Sequence, residues 1–209
     1  MSYFTCLAVF VCLVANGWTQ FAGLEGSIKV EWLRVVNPTL NVTDKAYIWE
    51  ADFGMSYSSK SKELNAAGIT RSRSHTEFNM AKIATKLRRD VGKTCFLLDV
   101  SPALIGTFSA TSTALQALTV LNTTVEKSYQ TAGAIMDAAS QSAFDLKHPF
   151  IQKQCSRSGY NYVATTEMAA GAPPPAASDK FTYLTSWGTV HLYILRSTGL
   201  VTTTTATPP

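Results

Sequence analysis

The side chains with the most chemistry in this chain are four cysteines. Cys95 and Cys155 lie in its body, and Cys6 and Cys12 in an apolar N-terminal run. Removal of that run leaves one thiol pair, whose oxidation would close a loop of about 60 residues and restrict the unfolded chain by about 2–4 kcal/mol. Bridged cysteines are neither nucleophiles nor metal ligands. His75, His148 and His191 are scattered without ligand spacing, and no Cys-x-x-Cys or His-Glu-x-x-His occurs. There is no Gly-x-Ser-x-Gly elbow and no phosphate-binding glycine loop. Asp99, Asp137 and Asp145 read as solvated carboxylates rather than as an acid–base pair. The residue types therefore point away from an enzyme and name no cofactor and no metal.

The start of the chain sets the compartment. Residues 7–14 are mostly apolar, and Ala15-Asn16-Gly17 places small residues where signal peptidase cuts. The run is too short for a bilayer span, so 1–17 reads as a secretory signal peptide, and the expected location is extracellular. A disulfide persists there. Two glycosylation sequons agree, Asn41-Val42-Thr43 and Asn122-Thr123-Thr124.

A net charge of +4 with 15% charged residues gives a lightly charged, mildly basic surface. The dense basic stripe of a nucleic-acid binder is missing. A membrane surface has no specific signal, and a homo-oligomer is compatible with the composition.

The elements that must position the cysteines follow from hydrophobic spacing. Region 18–68 carries one or two strands. Residues 27–36 point Ile28, Val30, Trp32 and Val36 inward, and 45–53 contain Tyr47, Ile48, Trp49 and Phe53. Residues 56–67 read as a polar loop. Region 69–167 holds the cysteines. There, 76–87 and 93–100 form a hairpin around the turn at 88–92. From Ser112 onward Leu115, Leu118, Val120, Leu121 and Val125 suit a helix, and 132–146 read as a second one. Residues 160–163 form a short strand behind Cys155. A Gly/Ala/Pro linker spans 168–178. Region 179–209 is β-prone and nearly uncharged, with Phe181, Tyr183, Trp187, Val190, Leu192, Ile194 and Leu195 in its first half, a turn at 196–199 and β-branched residues beyond. This is the composition of an aggregation-prone segment.

The order strand, turn, strand with Cys95, Pro102, helices, Cys155, strand resembles the BRICHOS domain, and its secreted gastrokine branch most closely. The residues that carry the resemblance are Gly92-Lys93-Thr94-Cys95 followed by Phe96-Leu97-Leu98, and Cys155 followed by Tyr160-Asn161-Tyr162-Val163. The resemblance begins with the stretch Thr76–Leu87 before the turn and covers about 95 residues, under half the chain. The resemblance implies an α+β fold: an antiparallel sheet of about five strands with helices packed on its faces, and a Cys95–Cys155 bridge. It also implies a chaperone-like, anti-aggregation activity toward a β-prone peptide. The family's strand aspartate falls on Asn79, between Phe78 and Met80, and an amide cannot ionise. The C-terminal segment also lacks the further cysteines of gastrokines.

The segment around 181–205 is a client of the expected kind, tethered at an effective concentration in roughly the mM range. The competing expectation is that 181–195 complete the domain's own sheet. Two other functions fit the sequence. One is a precursor that releases a C-terminal β-hairpin antimicrobial peptide, although the segment has no cysteine and a single arginine. The other is a secreted structural or binding protein without chaperone activity.

Overall fold

The computed structural model describes residues 26–37, 39–59, 61–88, 91–117 and 125–200. The expected signal peptide with Cys6 and Cys12, the Asn122 sequon, Leu118, Val120 and Leu121 of the expected helix, and the threonine-rich residues from 201 lie outside them.

One ten-stranded mixed sheet organises the chain and curls into a half-barrel. Its strands are β1 (Ser27–Asn37), β2 (Leu40–Trp49), β3 (Gly54–Ser59), β4 (Ser72–Glu77), β5 (Lys82–Leu87), β6 (Thr94–Asp99), β7 (Glu126–Thr131), β8 (Asn161–Glu167), β9 (Ser178–Leu184) and β10 (Thr189–Leu195). They lie side by side in the order β1-β2-β3-β4-β5-β6-β8-β7-β10-β9. The first six form an antiparallel meander. The pairs β6–β8 and β7–β10 are parallel, so the chain must cross over to make them.

This corrects the expected five-stranded antiparallel sheet with helices on both faces. Residues 56–67, expected as a loop, begin with β3 and end in a single helical turn, α1 (Glu63–Ala66). All six residues of β3 are buried although three are serines, because the strand lies between β2 and β4 in the middle of the sheet. β7 occupies the stretch after Val125 where a helix was expected to end. The expected helix at 132–146 starts only at Ala138, where the Asp137 side chain accepts a hydrogen bond from the Ser140 amide (2.9 Å). The expected turn at 196–199 is present as a 3-10 turn, Arg196–Thr198, closed by Gly199, but it follows the last strand, and the turn of the C-terminal hairpin sits at 185–188. Gly188 is required there: a Cβ would meet the Val125 carbonyl oxygen at 2.2 Å.

The helices are short: α2 (Pro102–Ile105), α3 (Phe108–Gln116), α4 (Ala138–Lys147) and α5 (Pro149–Gln154). The main core lies inside the curl and joins Ile83, Phe96, Leu98, Tyr129 and Val163 to Tyr183, Val190, Leu192 and Ile194. A second core joins Val30, Trp32, Val42, Ile48, Met55 and Tyr57 to Leu115 of α3 and Leu184 of β9. The third lies on the outer face, where Ile151 of α5 and Cys155 pack on Ala84, Cys95, Leu97 and Tyr162. Phe150 of α5 presses on β3 so closely that a Cβ on Gly54 would stand 2.7 Å from its ring.

Candidate functional site

Cys95 on β6 and Cys155 at the end of α5 are fully buried and joined by a disulfide, with their Cα atoms 6.3 Å apart. The bond fastens the short α5 to the outer face of the sheet. Lys86 of the neighbouring β5 completes the fastening: its ammonium donates to the Gln154 carbonyl and lies 4.2 Å from the centre of the Tyr160 ring. Burial, with Arg73 nearby, pushes Lys86 down to about 8.

Asn79 is not in a strand. It sits exposed in a 3-10 turn, Phe78–Met80, between β4 and β5. The buried carboxylate of this region is Glu77, two residues earlier, whose Oε2 lies 2.8 Å from Nδ1 of His148. Burial raises the Glu77 carboxyl above its usual range, against the pull of His148. Two residues before Glu77 on the same strand, His75 has its Nδ1 2.6 Å from Ser56 Oγ. Geometrically this is a hydroxyl beside a base. Both residues are buried, however, and the Phe150 ring lies 6.5 Å from the imidazole. Burial and the nearby Lys86 and Arg73 cations hold His75 well below its ordinary value of 6.5. The arrangement offers no substrate access and serves as polar packing beneath α5.

The inner face holds a second constellation that sequence reasoning missed. Arg34 of β1 and Asp44 of β2 form a buried ion pair (Nε to Oδ2, 2.6 Å), and Tyr57 of β3 donates its hydroxyl to the same carboxylate oxygen (2.5 Å). Arg34 also donates through Nη2 to the Thr185 carbonyl in the β9–β10 turn (2.8 Å). Burial raises the Asp44 carboxyl, and Arg34 opposes the shift. Burial likewise raises the Tyr57 phenol. The group joins the first three strands to the last hairpin and has no open side.

His191 packs beside Thr182 (Oγ1 to Nδ1, 2.9 Å), far along the chain from His75 and His148. Among the described residues no group of three His, Cys, Asp or Glu could hold a metal ion. No helix among them is long and apolar enough to cross a membrane. A shallow groove of about 480 Å³ lies over α4 and α5, lined by Gln141, Ser142, Asp145, Leu146, Gln152 and Asn161. Its carboxylate, Asp145, is already occupied by the Tyr162 hydroxyl (2.7 Å).

The segment singled out in the sequence is inside the fold. Phe181 and Tyr183 lie on β9, Trp187 in the turn, and Val190, Leu192, Ile194 and Leu195 on β10. Tyr183, Trp187, Val190, Leu192 and Ile194 are core residues, and Phe181 packs against them.

Among the described residues, one edge of the sheet has no partner strand. The outer edge of β9 is held at its C-terminal end: the Thr70 amide donates to the Thr182 carbonyl (2.6 Å), Ile69 bridges to Thr182, and Ser72 donates to the Leu184 carbonyl (3.2 Å). The outer edge of β1, over 28–36, pairs with no strand among the described residues. Its outer face presents Leu33 (58% exposed) and Val35 (59% exposed). Further along the same face, Glu31 bridges Lys29 (2.8 Å) and Lys45 (2.7 Å), which hold its carboxyl down at about 2. Asn41 and Thr43 of β2 are exposed on this face, directly opposite Val35 and Leu33.

No family model matches the chain, and no solved structure matches it. It is 65% identical, over 209 residues that span the full length of both chains, to Uncharacterized protein 6 of Haliotis asinina. The two proteins belong to one family. That kinship covers the whole molecule, so both cysteines, the curled sheet and the C-terminal hairpin fall within the shared region.

Proposed function

We propose that the protein is a secreted, non-catalytic binding protein that takes up extended, β-prone segments of other chains by strand addition at β1. The observation that supports this is the asymmetry of the sheet edges. Residues 69–72 hold β9 at Thr182 and Leu184, whereas β1 meets no further strand among the described residues over 28–36 and carries two apolar side chains that are more than half exposed. An unpaired edge is a template for an incoming strand: its backbone groups give sequence-tolerant affinity, and alternate side chains give preference. A segment held there cannot pair with its own copies, which is the chaperone-like, anti-aggregation activity.

The client is a separate chain in this reading, because 181–195 already serve as β9 and β10. A precursor that releases this hairpin would have to withdraw Val190, Leu192 and Ile194 from the main core. Secretion belongs to the proposal through the apolar leader of the sequence and through a buried disulfide, which suits an oxidising compartment.

The test is a fibril-growth assay with a fibril-forming peptide and the purified, oxidised chain. The protein is expected to lengthen the lag phase. Leu33→Lys with Val35→Lys should remove the delay, because lysines on an edge strand oppose strand addition, without lowering the melting temperature, since both side chains already face solvent. No delay by the unaltered protein defeats the activity, and an undiminished delay by the double variant defeats the assignment to β1.

A further inference from the structure

The structure assigns Asn41 as an N-glycosylation site whose glycan covers the apolar patch of β1, an inference that rests on the secretion reading above. In a strand, residues two apart share a face. Asn41 and Thr43, the two recognised positions of the Asn-Val-Thr sequon, therefore both project outward, while Val42 between them is buried in the second core. The acceptor amide is in solvent, and its modification displaces no packing.

The register then fixes what the sugar would meet. Asn41 is the direct cross-strand partner of Val35, and Thr43 of Leu33. Side chains paired across an antiparallel ladder stand about 5 Å apart at Cβ. A first N-acetylglucosamine on Asn41 thus lies over Val35 and reaches Leu33, the two apolar side chains that the fold leaves most exposed on β1. Its N-acetyl methyl group and the apolar side of its ring suit such a surface. The charged cluster of Glu31, Lys29 and Lys45 lies beyond the reach of this contact, toward the other end of the hairpin.

Shielding acts on the face of the sheet and leaves the edge in its plane. A glycan there blocks face-to-face stacking of two copies through Leu33 and Val35, while an extended strand can still approach the backbone of 28–36. The glycan thus limits an exposed apolar patch without closing the edge.

The full chain, expressed in cells with a secretory pathway, tests both parts. Peptide mapping of the secreted protein is expected to find a glycan on Asn41 that disappears in Asn41→Gln and in Thr43→Ala. Secreted protein with unmodified Asn41 overturns the inference and leaves the secretion reading intact. A chain retained in the cytosol overturns the secretion reading and the inference together. For the shielding, enzymatic removal of the glycan should shift sedimentation toward self-associated species, and Leu33→Thr with Val35→Thr should abolish that shift. Sedimentation unchanged by deglycosylation overturns the shielding role.

Discussion

His75 sits in the middle of β4, buried beneath Phe150, with Ser56 at one ring nitrogen and the Lys86 and Arg73 cations nearby. Its folded-state value is depressed, so the unfolded chain takes up a proton first as the pH falls through 6.5. The unfolded state then binds more protons, and stability falls with acidification by up to about 1.4 kcal/mol per pH unit until the folded-state value is reached. Glu77, raised by burial, acts in the opposite direction, because its folded carboxyl takes up the proton first. His75→Gln isolates the imidazole contribution. Denaturant midpoints at pH 7 and pH 5 should fall further for the unaltered protein than for the variant, and parallel changes would contradict the assignment. At Arg34 the argument concerns charge. Removing one partner of a buried ion pair leaves the other uncompensated, at a cost of about 3–5 kcal/mol. Arg34→Met should therefore destabilise by about that much in urea unfolding. Arg34→Met with Asp44→Leu should recover most of the loss, since both charges are then gone.

The disulfide belongs to the scale of elements, because it holds a six-residue helix that is too short to be stable by itself. Cys95→Ala with Cys155→Ala releases a loop with a sequence separation of 60. The expected loss is about 2–4 kcal/mol in a denaturant titration, and a loss below about 1 kcal/mol would show that packing alone seats α5. This bond, β1 and the β5–β6 hairpin were legible in the sequence, since all three rest on strong signals: two cysteines, clear alternation, and a turn between β-branched runs. β3 and β7 were not. Their residues, Gly54-Met55-Ser56-Tyr57-Ser58-Ser59 and Glu126-Lys127-Ser128-Tyr129-Gln130-Thr131, carry little apolar contrast between faces. Their burial comes from neighbouring strands that local spacing does not reveal. The Arg34 clamp did leave a signal. The parity that turns Val30 and Trp32 inward also turns Arg34 inward, and a charged residue on the core side of a strand calls for a buried partner. Glu77 and His148 were unreadable because 71 residues separate them along the chain.

At the scale of the molecule, the C-terminal hairpin closes the curl. β10 pairs with β7 on one side and β9 on the other, and β9 meets 69–72 while the turn accepts from Arg34. The local composition of 181–195 is that of an aggregating peptide, yet the same β-branched and aromatic residues supply one wall of the main core. A chain truncated after residue 177 tests which description governs folding. A holding domain with a tethered client would survive the truncation as a soluble, cooperative unit. In the fold described here, the truncation instead exposes Ile83, Phe96, Leu98, Tyr129 and Val163, leaves β7 with an open edge, and strands the Arg34 guanidinium without the Thr185 carbonyl. Fully burying each large apolar side chain is worth about 1.5–3 kcal/mol, so losing the cover over these five is comparable to the whole stability of an ordinary domain. The truncated chain should lose its cooperative thermal transition and bind a hydrophobic dye. Adding a synthetic peptide of residues 178–200 should restore the transition in proportion to its concentration. A truncated chain that melts cooperatively without the peptide would show that the first eight strands fold by themselves and that the hairpin is an attachment to them.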